Sequence, residues 1–87
     1  MQEILAQSPA LIRRVLDALR AHVHVITGPL ADDVACLVGG APTVLYFDTT
    51  RPTEDQAWAL ADVVTALTLG PDRAKYAQVV RRLRLVS

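Results

Sequence analysis

Two histidines, His22 and His24, stand two residues apart in the stretch HVHVIT, and a lone Cys36 and an Asp48 follow downstream. On a strand, side chains at i and i+2 share a face. An H-x-H pair of that kind can hold a metal ion if a third ligand arrives from a neighbour, and Cys36 and Asp48 are the candidates. The competing account is a half-solvated strand face, where imidazoles are ordinary. That account is preferred, so no metal and no cofactor are expected, with His22 and His24 as the alternative metal pair.

Asp48-Thr49-Thr50 places an acid before two hydroxyls. Phosphatase and aspartyl-protease nucleophile loops begin similarly, but the first needs a second acid at position 50 and the second a glycine. Asx and Thr turns account for the triplet without chemistry. Gly39-Gly40 is followed by no Gly-Lys-Ser/Thr and by no helix, so it reads as a turn, not a phosphate loop. No catalytic set is complete, and an enzyme is not expected.

The elements that carry these residues are legible from pattern. Ser8-Pro9 opens a helix over 9–21, with Ile12, Val15, Leu16 and Leu19 inward and Arg13, Arg14, Asp17 and Arg20 outward. Ile4 and Leu5 could dock as a loose arm. In 22–27, Val23 and Val25 share one face and His22, His24 and Ile26 the other, the mark of a strand with one buried face. Runs 34–38 and 43–48 flank Gly39-Gly40-Ala41-Pro42 as a hairpin. Their nearly continuous apolarity predicts strands covered on both faces. Thr53-x-x-Gln56 predicts a capping box opening a helix to Leu69, nearly apolar all round, with Asp55 and Asp62 on a narrow polar strip beside Ala59 and Ala66. Gly70-Pro71 ends it. A last helix is predicted to about residue 85, with Tyr76, Val80 and Leu83 as its apolar line and Arg81, Arg82 and Arg84 in its final turns.

The 87 residues suffice for one domain and one core. Apolar residues are 52% of the chain and aromatics 5%, so the core must be aliphatic and gains little from rings. Formal charge is zero but unevenly placed: residues 1–29 sum to +1, 30–70 to −5 and 71–87 to +4. An acidic middle and a basic tail suit self-association or an acidic partner. The R-R-L-R tail could meet phosphates, but the neutral total and the lack of an aromatic platform favour a dipole-matched helix end. One cysteine allows no internal disulfide. No apolar run approaches the roughly 20 residues of a membrane span, and the first ten lack a signal-peptide pattern. The expectation is a cytoplasmic protein, with the eight arginines to one lysine hinting at a GC-rich bacterial genome.

Residues 60–67, LADVVTAL, with YFDTT and Gln56 before them, resemble the turn and motif helix of small ImmA/IrrE-family metallopeptidase-like proteins. The resemblance covers roughly residues 11–70 and rests on element order and apolar pattern. It implies a zincin helix, H-E-x-x-H, but the histidine positions fall on Ala61 and Thr65 and the glutamate on Asp62. The resemblance therefore implies a non-catalytic relative, and a DNA-binding regulator as a possible partner.

The expected fold is α+β: a small three-stranded antiparallel sheet with about three helices mainly on one face, in the order α-β-β-β-α-α. The expected function is a non-catalytic protein–protein interaction or regulatory module, a homodimer or a subunit of a larger assembly. Its partner surface is Trp58, Asp62 and Leu67, with Arg81, Arg82 and Arg84. The alternatives are a small metal-binding protein or enzyme using His22 and His24, and a nucleic-acid-binding accessory using the basic tail.

Overall fold

The computed structural model describes residues 8–70 and 83–86. Their elements are α1 (Pro9–Leu19), β1 (His24–Thr27), β2 (Ala35–Val38), β3 (Val44–Phe47), α2 (Thr53–Leu69) and β4 (Leu83–Val86), an α+β arrangement. Among the described residues no helix is long and apolar enough to cross a membrane.

Helix α1 starts as predicted. Ser8 is extended, its Oγ accepts from the Leu11 N–H at 3.3 Å, and Pro9 takes the first helical position. Ile12, Leu16 and Leu19 form the buried stripe. The helix ends at Leu19, and the amides of His22 and Val23 both fold back onto its carbonyl at 2.9 Å. That turn takes up the first two residues of the predicted strand, so β1 starts at His24.

Helix α2 starts where predicted but by another device. Pro52 is its N-cap, its carbonyl accepting from Gln56 N–H at 3.0 Å, and no side chain caps it. Gln56 Nε2 instead donates to the carbonyls of Thr49 at 3.2 Å and Arg51 at 2.7 Å. The capping box at Thr53 is therefore not formed: the preceding turn claims the glutamine. Gly70 ends the helix at φ 90, a left-handed value suited to glycine, and its N–H donates to the Ala66 carbonyl at 2.8 Å.

The sheet has four strands among the described residues, in the order β1-β3-β2-β4. β2 and β3 form the predicted antiparallel hairpin, with Val38 opposite Val44 and a cis Ala41-Pro42 bond in the loop. The expectation of an all-antiparallel, three-stranded sheet is corrected twice. β1 runs parallel to β3, because residues 28–34 carry the chain across the end of β3 instead of turning back beside β1. β4 joins β2 in parallel at positions expected to be helical. Leu83 and Leu85 alternate there with exposed Arg84 and Val86, a period of two that fits a strand. Arg84 is thus a strand residue rather than part of a helical basic cluster. The other residues of the predicted last helix, Tyr76, Val80, Arg81 and Arg82 among them, lie outside the described residues, as do Ile4 and Leu5. Two helices, not three, stand among the described residues.

One face of the sheet makes the core. Val25, Ala35, Leu37, Leu45, Phe47 and Leu83 are buried in a cluster with the α1 stripe and with Ala57, Leu60 and Val63 of α2. α2 packs against α1, β2 and β4. The strip predicted to face water is covered: Ala59 and Ala66 are buried, and so is Asp62, at 4% exposure. The apolar excess of α2 is therefore largely absorbed within the chain.

Candidate functional site

The features that could carry function include a latched turn, a divergent histidine pair and an open sheet face. The turn begins at Asp48, which is 1% exposed at the end of β3. Its Oδ1 accepts from the Thr50 N–H at 2.9 Å and from the Thr50 hydroxyl. Its Oδ2 accepts from the Leu30 N–H at 3.0 Å and from Arg51 Nε at 2.9 Å. The Asp48 N–H donates to the Val34 carbonyl at 2.8 Å, and Arg51 Nη2 donates to the Leu30 carbonyl at 2.8 Å. The loop that crosses β3 is thus tied down by the residues it crosses, which satisfies backbone groups that the crossing takes out of any ladder. Both carboxylate oxygens are engaged, leaving the group little capacity to accept a substrate proton. The Leu30 N–H, then the Thr50 hydroxyl, hold the carboxyl well below the usual carboxylate range, aided by the Thr50 amide and Arg51 and opposed by desolvation. Asp48 is a structural anchor with an Asx turn, as the local pattern predicts.

The histidines do not form a pair on one strand. His22 closes the turn after α1 and lines a hollow with Leu19, Val64, Leu67 and Thr68, whereas His24 opens β1. Cys36 lies on β2, with β3 between it and β1. Among the described residues no three His, Cys, Asp or Glu side chains are placed to share a metal ion.

The open face follows from register. Two rows cross all four strands on the side away from the helices: His24, Val44, Val38 and Val86, then Ile26, Tyr46, Cys36 and Arg84. Ile26 is 40% exposed, Tyr46 and Val86 37%, and Val38, Val44 and Cys36 are half-buried. The continuous apolarity of β2 and β3 predicts cover on both faces; the described residues bury only one. The two basic side chains, His24 and Arg84, sit at diagonally opposite corners, and Arg84 lies 3.8 Å from Asp33 at the rim. The middle of the face carries no charge.

The predicted partner residues are scattered. Trp58 is half-buried, Asp62 is buried within the helix layer, and Leu67 is exposed near the end of α2 beside Leu69. Arg84 belongs to the open sheet face. Ala61 and Thr65, the positions aligned with zincin histidines, are one turn apart, and the Thr65 hydroxyl donates to the Ala61 carbonyl at 2.8 Å. The open face itself was missed by sequence reasoning, although its signal, apolar residues at both parities of β2 and β3, is present in the chain.

No protein-family model, no curated protein and no solved structure matches this chain.

Proposed function

We propose that this protein is a non-catalytic protein–protein interaction module that self-associates through the open face of its sheet. The observation that carries the reading is the apolar patch formed by Val38, Val44 and Tyr46 at the centre with Ile26 and Val86 at two corners, on strands whose opposite face is already filled by the core. A second copy fits for a reason of charge. When two such faces stack about a two-fold axis along or across the strands, the Arg84 corner meets an apolar corner of the other copy and not its own guanidinium. The face offers eight residues, against about 20–30 per side in stable interfaces, so the association is weak and concentration-dependent. Isologous pairing of this kind suits a regulatory subunit whose assembly responds to its own abundance.

Light scattering across a concentration series tests this. The wild-type mass should rise with concentration, and Tyr46→Lys should hold the chain monomeric while its melting temperature stays close to wild type. A wild-type chain that remains monomeric at the highest soluble concentration sinks the proposal.

A further inference from the structure

We infer that the cleft between α1 and the β3–α2 turn binds a small organic anion, an acid group joined to a short apolar body. This site is separate from the open sheet face, and its test stands or falls independently of self-association. The cleft has a volume of about 520 Å³, within the range of small-ligand sites. It lies at the carboxyl ends of the parallel strands β1 and β3, where Thr27 and Thr49 line it. Pro9 and the edges of the buried Ile12 and Leu16 supply its apolar lining.

Two guanidiniums flank this surface. Arg20 is anchored, with Nε 3.5 Å from Asp17 Oδ1 and Nη1 donating to the Val25 carbonyl at 3.3 Å. Among the described residues Nη2 has no partner. Arg13 stands one helical turn before Asp17, is exposed, and has no ion-pair partner among the described residues. With Asp17 engaged by Arg20, the lining carries one net positive charge. Guanidiniums bind planar and tetrahedral oxyanions through paired N–H donors.

Gln56 completes the wall and is only 9% exposed. Its Nε2 is committed to two carbonyls, which fixes the amide's orientation and leaves Oε1 as its remaining acceptor. The wall is held in place by the Asp48–Arg51 latch, so Thr49 and Gln56 are preorganised without a ligand. An exposed guanidinium with no ion-pair partner among the described residues, beside a wall fixed by the Gln56 amide, forms a site that favours an acid group on a small organic body.

The experiment is an amide-resolved NMR titration of the full chain with phenyl phosphate, benzoate, inorganic phosphate and benzyl alcohol. Saturable shifts at Thr27, Thr49 and Gln56 with phenyl phosphate or benzoate are expected, and the one that saturates first identifies the preferred acid group. Arg13→Ala should weaken that binding about tenfold or more without changing the thermal melt, whereas Arg14→Ala, one residue outside the lining, should not. The inference fails if neither aromatic acid saturates below about 10 mM. It also fails if Arg13→Ala binds as wild type does, or if benzyl alcohol or inorganic phosphate binds as tightly as the aromatic acids.

Discussion

Arg51 Nε lies 2.9 Å from Asp48 Oδ2 while Nη2 of the same guanidinium reaches the Leu30 carbonyl at 2.8 Å. One side chain thus joins the end of β3 to the loop that crosses it. Arg51→Ala would leave the Leu30 carbonyl and half of the Asp48 carboxylate without this donor. A loss on the order of 1–3 kcal/mol is expected, with amide exchange rising in residues 28–34 before the helices respond. Urea denaturation with hydrogen exchange measures both; uniform loosening of the whole chain would contradict a local latch.

Acid should release the same latch. The Asp48 carboxyl is depressed in the fold and ordinary in the unfolded chain, so the folded form takes up its proton less readily. Its contribution is full above about pH 5 and is lost as pH falls through the unfolded value near about 3.9 towards the lower folded one. Melting temperatures from pH 5 to pH 2 should therefore fall more steeply for wild type than for Asp48→Asn. Parallel curves would show that the carboxylate is not a source of acid sensitivity.

Neighbouring positions on β3 should behave as opposites. Phe47 is wholly buried, and Phe47→Ala should cost about 3–5 kcal/mol, enough to unfold a domain of this size under mild conditions. Tyr46 points to the other face, and Tyr46→Ser should alter stability by less than about 1 kcal/mol while reducing self-association. Equal losses of stability at the two sites would mean that the outer face is covered within the subunit.

Asp62 should act on stability, not on docking alone. It is buried and has a polar partner within the chain, so Asp62→Ala should destabilise by about 1–3 kcal/mol, whereas exposed Glu54→Ala should stay within about 0.5 kcal/mol. Thermal melts of the two variants make the comparison directly.

The two helix starts also separate cleanly. Ser8→Ala removes a cap and should cost about 1 kcal/mol, while Thr53→Ala removes none and should cost much less. Matching losses would restore the capping box at Thr53.

The sequence carried most of the local structure and little of the topology. Ser8-Pro9, the hairpin around Gly39-Gly40 and the inward parity of Val23 and Val25 were readable because each depends on near neighbours. Strand direction was not, since a loop from Gly28 to Val34 has the same composition whether it turns back or crosses over. The one sequence mark of the crossing is the i, i+3 pair Asp48 and Arg51, whose loop partners, Leu30 and Ala31, are about twenty residues earlier. Asp62 misled for a related reason: a carboxylate with small neighbours on a helix looks solvated until tertiary partners close over it. In the cleft, the periodicity of α1 marks Arg13 and Arg20 only as its outward face, because the other lining residues, Thr27, Thr49 and Gln56, come from three other segments.

Inserting β3 between β1 and β2 also orders events in time. The ribosome releases β1 and β2 before the strand that must separate them exists, so the early pair has no native way to zip together. The β2–β3 hairpin, closed by five residues, is expected to nucleate the sheet, with β1 joining as a late arrival. Truncating Leu37 should then slow folding, and truncating Val25 should chiefly hasten unfolding, a difference that stopped-flow chevrons would resolve.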